Sequence, residues 1–271
     1  MRSLFLKRIG SWLSYRCSGK NRFLYSSTPR RLILGYHHIL SPDDELTCFL
    51  QPGMYVTTTT FEKHLQYLAE HFETISLQEV REKSVKKNSC IITFDDGWAD
   101  NYTNALPLLR KYNIPATIFL TTNLVGSNSW PWPDRISYYV YKGDRDLLIS
   151  LINMIPLSSS HTRLPRPLLF LTRSSRSIIA ERVINTLKSF DENSLLKTME
   201  IIDKMFNLLK EQLYTLRPWL SWEEVCEMEE AGLTFGAHTH NHKILSSISH
   251  ENAHEEICKS REVLYSKLKR P

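Results

Sequence analysis

Asp95 and Asp96 stand side by side in the run Thr93-Phe94-Asp95-Asp96-Gly97, directly behind the apolar stretch Cys90-Ile91-Ile92. Two neighbouring carboxylates at the end of a buried strand repel each other and lose hydration, so a cation or a shared proton must offset their charge. A divalent metal does this most simply. Taken alone, the pair also reads as a turn or a helix N-cap, where Asp is favoured. Its complement lies far downstream, where Leu233-Thr234-Phe235-Gly236-Ala237 opens into His238-Thr239-His240-Asn241-His242. His238 and His242 are spaced to share one metal, and two imidazoles, one carboxylate and an open fourth position form a recurring catalytic zinc arrangement. His240, between them, reads as a bystander turned to solvent or as a supporting group. Thr239 is expected to orient a ligand or the loop by hydrogen bonding.

For these residues to meet, several strand ends must reach one face. Leu32 to Tyr36 reads as a strand, followed by a polar loop around Pro42-Asp43-Asp44-Glu45 and a helix behind Thr57 to Thr60. Thr59 and Glu62 have capping-box spacing, and Phe61, Leu65 and Leu68 share one helical face. Ser76 with Glu79 starts a short helix before the strand that leads to Asp95. Strand Cys90 to Phe94, helix Tyr102 to Tyr112 and strand Pro115 to Leu120 follow in an order that implies parallel pairing with a right-handed crossover. In parallel α/β barrels the loops at the carboxyl ends of the strands share one face, where active sites are found. Tyr36-His37, Asp95-Asp96, Thr121-Thr122-Asn123 and His238 to His242 should therefore converge. Residues 130 to 219 break this rhythm. Trp130-Pro131-Trp132-Pro133 reads as a rigid aromatic loop, and the remainder as a polar helical insertion with Ser/Arg clusters at Ser158 to Ser160 and Arg173 to Ser177. Trp130 and Trp132 either stack on sugar rings or plug the barrel edge. Ser221 with Glu224 caps a helix that Gly232 ends. A last helix, about Asn252 to Lys269, turns Ala253, Ile257, Leu264 and Leu268 toward a partner surface.

Thr93 to Gly97 and His238-Thr239-x-x-His242 resemble the first two motifs of the polysaccharide deacetylases, also called the NodB homology domain or carbohydrate esterase family 4. Leu34-Gly35-Tyr36-His37-His38-Ile39 is similar to the Tyr-His element that opens many members. Leu220-Ser221-Trp222 through Gly232 resembles the helix they place before the histidine motif. The resemblance covers about residues 30 to 271. It implies that Asp96, His238 and His242 hold a divalent metal, zinc first among the candidates, and that Asp95 is the general base. It also implies an α/β fold, a distorted (β/α) barrel with the site at the carboxyl ends of its strands, and removal of N-acetyl groups from an amino-sugar polysaccharide or glycan. Tyr36, His37, Trp130 and Trp132 are the candidate substrate contacts. Family members continue past the histidine motif through an Arg- or Tyr-Pro-containing oxyanion motif, a Trp-bearing motif and a late Leu-x-His that supplies the general acid. This sequence ends at Lys269-Arg270-Pro271, so the expectation is a barrel incomplete at its C-terminus. His37 or His38 would stand in for the acid, because the first strand should end on the same face. Two alternatives stand beside the deacetylase: a truncated, non-catalytic metal- and glycan-binding module, and a metal-dependent hydrolase of small amides or imides.

A chain of 271 residues suffices for one main domain of α/β barrel type. That domain is taken as residues 29–271, with the insertion at about 130–219, behind a basic extension of residues 1–28. The formal charge of +5 does not demand nucleic acid, which needs basic residues clustered on one face. Glycosaminoglycan-like or phosphorylated glycans suit it as well. No Gly-rich phosphate loop supports nucleotide binding. The five cysteines, Cys17, Cys48, Cys90, Cys226 and Cys258, are odd in number and lack Cys-x-x-Cys spacing. Neither a disulfide framework nor a thiolate zinc site is indicated, and a reducing compartment fits. Cys90 reads as a small core residue. Residues 1–23 carry Arg2, Lys7, Arg8, Arg16, Lys20 and Arg22 without an acid, and Phe5, Ile9, Trp12 and Leu13 recur between these charges at helical spacing. They read as a solvated extension or as a basic amphipathic helix on an anionic membrane surface, and not as a signal peptide. No stretch approaches the roughly 20 apolar residues of a membrane span. A cytoplasmic or membrane-peripheral location is the expectation.

Overall fold

Every position of Ser89–Phe94 is buried, the pattern of a strand covered on both faces. The computed structural model describes residues 29–80, 87–155 and 172–268; the N-terminal extension with its candidate membrane helix, the Ser158 to Ser160 cluster and the last three residues lie outside them. Strand β5 (Ser89–Phe94) pairs in parallel along its whole length with β1 (Arg31–Tyr36). Its other side is shared by β4 (Glu73–Thr74), at its start, and β6 (Ala116–Leu120), at its end. Strand β7 (Thr234–Ala237) adds in parallel to β6. The uniformly parallel pairing is what the strand-helix-strand order predicts. Among the described residues the sheet is open, with β1 and β7 at its edges. A separate parallel ribbon joins β2 (His38–Leu40) to β3 (Tyr55–Thr57), with the short helix α1 (Leu46–Phe49) between them. Three-residue strands carry too little alternation for the sequence to announce them.

Helix α2 (Thr58–His71) buries Phe61, Leu65 and Leu68 as their spacing predicts. Its cap differs from the expected Thr59–Glu62 box. Thr57 has the extended backbone an N-cap needs, and its side chain accepts from Thr60 N at 3.3 Å. Glu62 instead accepts from Lys111 Nζ at 2.6 Å and from the Tyr112 hydroxyl at 3.1 Å. The Ser76–Glu79 box forms as expected, on the single 3₁₀ turn Gln78–Val80. After β5 a π-type turn, Asn101–Ala105, runs into α3 (Leu106–Tyr112), which ends at left-handed Asn113.

The insertion is helical, comprising α4 (Trp132–Lys142), α5 (Arg145–Met154), α6 (Arg173–Leu187), α7 (Glu192–Met205) and α8 (Asn207–Leu213). It is less polar than expected inside. Tyr139, Leu148, Leu151, Val183, Leu187, Ile202 and Phe206 form an apolar core that extends to Trp98 and Trp219 beside the sheet. Tyr139 and Phe206 stack with ring centroids 4.9 Å apart. A second core, around Ile92, Phe94, Leu109, Ile118, Leu220 and Val225, packs the helices on the sheet. Each such side chain contributes about 1.5–3 kcal/mol when fully buried. Helix α9 (Trp222–Glu230) starts in the Ser221–Glu224 capping box and is followed by Gly232 at φ 91°. The last helix, α10 (His250–Leu268), packs Leu264 and Leu268 on the second core as expected, whereas Ile257 falls off that face. Ile257 is 52% exposed, whereas Glu256 and Ser260 are buried. No described helix is long and apolar enough to cross a membrane.

Candidate metal centre

Backbone hydrogen bonds tie the predicted loops to one another at the carboxyl end of the sheet. Asp95 N donates to Tyr36 O at 2.9 Å, and Thr121 N to Asp96 O at 3.1 Å. Across to the histidine loop, His238 N donates to Leu120 O at 2.8 Å, Thr122 N to Thr239 O at 3.3 Å and Asn123 N to His240 O at 3.0 Å. Gly97 is required in this junction. Its φ is 90°, and a Cβ there would stand 2.5 Å from Leu120 Cδ2.

The junction brings Asp96, His238 and His242 together, with one ligand atom from each within 4.8 Å of the others. Asp96 is 3% exposed. Its Oδ1 lies 3.1 Å from His242 Nε2 and 3.3 Å from His238 Nε2. That oxygen is buried and, among the described residues, has no partner beyond these two imidazoles. A buried carboxylate oxygen facing two imidazole nitrogens is a donor set that suits a divalent cation of the zinc type. The other oxygen, Oδ2, accepts from Trp98 Nε1 at 3.0 Å, which fixes the carboxylate's rotation. Burial alone would raise the Asp96 pKa; hydrogen bonding and charge from His242, with charge from His238 and His37, outweigh it and hold the acid below its usual range. Burial works against the charged form of His242 too, and Asp96 overcomes it, raising the imidazole.

The surroundings of this cluster were only partly legible in the sequence. Trp98 stacks on Trp219 with centroids 4.2 Å apart and on His38 at 4.0 Å. His38 Nδ1 is 2.6 Å from Asp100 Oδ2, and Asp100 Oδ1 accepts from Ile39 N at 2.6 Å. The histidine loop is latched by Glu256 of α10, whose Oε2 accepts from His240 N at 2.9 Å and Asn241 N at 2.7 Å, and whose Oε1 accepts from Asn241 Nδ2 at 2.6 Å. Burial would raise Glu256, but these hydrogen bonds outweigh it and lower its pKa. Asp134, in the first turn of α4, is pushed up to about 6 by burial, and the Asp96 charge adds to this while His38 and His242 oppose it. Trp98 and Asp100 follow Gly97 closely enough to be suspected; nothing local marks Glu256 or Asp134.

Several expectations need correction. His240 is not turned to solvent: it is 7% exposed, with Nδ1 2.9 Å from Thr122 Oγ1. Thr239 acts through its carbonyl, not its side chain, because Oγ1 is buried without a partner among the described residues. Tyr36 is a core residue, 7% exposed, packed on Phe61 and Phe94 with its hydroxyl 3.1 Å from His64 Nδ1. Trp130 is 2% exposed between Trp98 and Phe49, so it plugs the core and offers no face to a sugar. Trp132 is partly buried against the insertion core. His37 stays accessible, with Nε2 3.9 Å from Asp95 Oδ2.

The polysaccharide deacetylase family model matches residues 82–147 and 177–271. A poly-beta-1,6-N-acetyl-D-glucosamine N-deacetylase of Staphylococcus epidermidis is 32% identical over 133 residues, 44% of this chain and 46% of that protein. One of the same name from Staphylococcus aureus is 36% identical over 87 residues, 30% of each chain. The matched part of this chain thus spans less than half the length of either relative. The solved structure of IcaB from Ammonifex degensii aligns over 89% of this chain and 70% of that one, at 16% identity and a TM-score of 0.49. With more than half of its residues matched by the family model, the chain belongs to the polysaccharide deacetylase family.

Proposed function

We propose that the protein is a metal-dependent hydrolase that removes N-acetyl groups from an amino-sugar polysaccharide, with Asp96, His238 and His242 as the metal ligands and Asp95 as the general base. The observation that carries this reading is the buried Asp96 Oδ1 facing both histidine Nε2 atoms with no other partner among the described residues. A divalent cation held there would polarise the acetyl carbonyl and acidify a water molecule. Zinc suits the donor set best. The names of the two staphylococcal relatives favour a polymer of N-acetylglucosamine as the substrate class.

Asp95 is the free carboxylate of the pair, with its side chain 31% exposed. On this reading it takes the proton of the attacking water, whereas Asp96 is committed to Trp98 and the histidines. The amine that departs needs a proton in turn. His37, accessible and 3.9 Å from Asp95, is the group positioned to give it. His38 is 1% exposed and bonded to Asp100, so it supports Trp98 and does not meet substrate.

The test is metal content together with acetate release from N-acetylglucosamine oligomers, on this chain and on Asp95→Asn. Bound metal with acetate release that the substitution abolishes supports the assignment. Bound metal without release favours a binding module, and a chain that takes up no metal ends the proposal. His37→Ala with undiminished turnover would remove His37 as the acid.

A further inference from the structure

A cavity of about 440 Å³ lies outside the metal centre, between the β3–α2 junction and helices α4 and α6. It is walled by Arg173, Arg176 and Ser177 of α6, Tyr141 of α4, and Tyr55 and Thr57 of β3. No aspartate or glutamate among the described residues lines it. Among the described residues neither arginine forms an ion pair with a carboxylate. Arg176 Nη1 donates to Val140 O at 2.5 Å and Gly143 O at 2.9 Å, and Arg173 Nη2 donates to Thr47 O. A guanidinium carries five N–H donors, so each retains several. The Ser177 hydroxyl has no partner among the described residues. Burial lowers the Arg176 pKa, and the neighbouring Tyr141 only partly opposes this.

Two guanidinium groups brought to one concave surface without counter-charge leave an electrostatic demand that an oxyanion meets, and the planar fork of Arg matches carboxylate and phosphate oxygens. The other walls include aromatic rings (Phe49, Tyr55, Tyr141) and hydroxyls, groups suited to a sugar ring, beside aliphatic residues such as Leu50, Val56 and Val140. The cavity's β3 wall pairs with β2, so that Tyr55 stands opposite His38, the residue after His37. We propose that this cavity binds an anionic sugar unit, one bearing a carboxylate or a phosphate, so that the substrate is an acidic or acid-substituted glycan. Assigning the sugar to the substrate rests on the proposed deacetylase activity; the binding itself does not.

Calorimetric titration of the full chain with glucuronic acid, glucose 6-phosphate, inorganic phosphate and glucose tests this. Saturable binding of glucuronic acid or glucose 6-phosphate, at least tenfold tighter than glucose, is expected, and the tighter of the two identifies the anion. Arg173→Gln should weaken it tenfold or more. Arg176→Lys, which keeps the charge and a donor toward the α4 carbonyls, should weaken it several-fold while leaving the melting temperature unchanged. Asp96→Asn, which removes a proposed metal ligand, should leave it unaltered, and a parent chain that binds the sugar but releases no acetate would fault the proposed activity and not the cavity. Equal binding of glucose and glucuronic acid, binding of phosphate as tight as glucose 6-phosphate, no saturable binding, or full affinity in Arg173→Gln would overturn the proposal.

Discussion

The two halves of the candidate centre are held in different ways. Asp96 follows a strand with every residue buried, and its carboxylate is fixed by Trp98, itself sandwiched between Trp219 and His38. His238 and His242 follow an edge strand with no buried residue, and their loop is fastened by polar contacts to Thr122 and Glu256. The carboxylate side is part of the apolar core, while the histidine side is attached to it. Damage on the first side should appear as lost folding stability, and damage on the second as lost metal affinity in a folded chain.

The largest effect is expected from Trp98→Ala. It empties a fully buried aromatic site and strips Asp96 Oδ2 of its donor, for a loss of about 3–5 kcal/mol by thermal or urea unfolding. Trp98→Phe retains most of the ring and removes the Nε1 donor, for about 1–3 kcal/mol. On the other side, Glu256→Gln should lower zinc affinity roughly 10–100-fold, the usual scale for partners that orient ligands, in equilibrium dialysis of a chain that still melts cooperatively. Equal loss of stability in Trp98→Phe and Glu256→Gln would erase the contrast.

Acid sharpens it. The Glu256 pKa is depressed in the folded chain, so its stabilisation is present above the unfolded value of 4.5 and is lost as pH falls through the lower folded value. Protection of the His240 and Asn241 amides, relative to their intrinsic exchange rate at each pH, should therefore fall below about pH 4.5, and Glu256→Gln should remove that loss of protection. The smallest effect is Ile257→Ser on the exposed face of α10, within about 0.5 kcal/mol of the parent chain.

The order of strands and helices and the meeting of Asp95, Asp96, His238 and His242 were legible because they depend on local chemistry: apolar strands that end in ligand-type residues. Glu256 was illegible for a physical reason. Its helix shows a weak apolar pattern, and the residue that faces inward is a carboxylate, which pattern reading assigns to solvent. Trp130 misled in the opposite sense, because an aromatic next to prolines resembles a sugar platform until its burial against Trp98 is seen. The Thr59–Glu62 spacing failed because capping depends on backbone dihedrals that side-chain spacing does not record.

Four described residues other than glycine have positive φ, and three of them, Asp96, Thr239 and His242, stand at the centre. At Thr239, φ 63°, the branched side chain makes the conformation especially costly. An engineering campaign that ranks variants by heat tolerance alone would be drawn to glycine there, because it relieves this strain. The reward would be misleading. A glycine relaxes the turn that aims the two flanking imidazoles, so the hardiest variants from such a screen should be the poorest at capturing zinc, and durability and competence would have to be selected together.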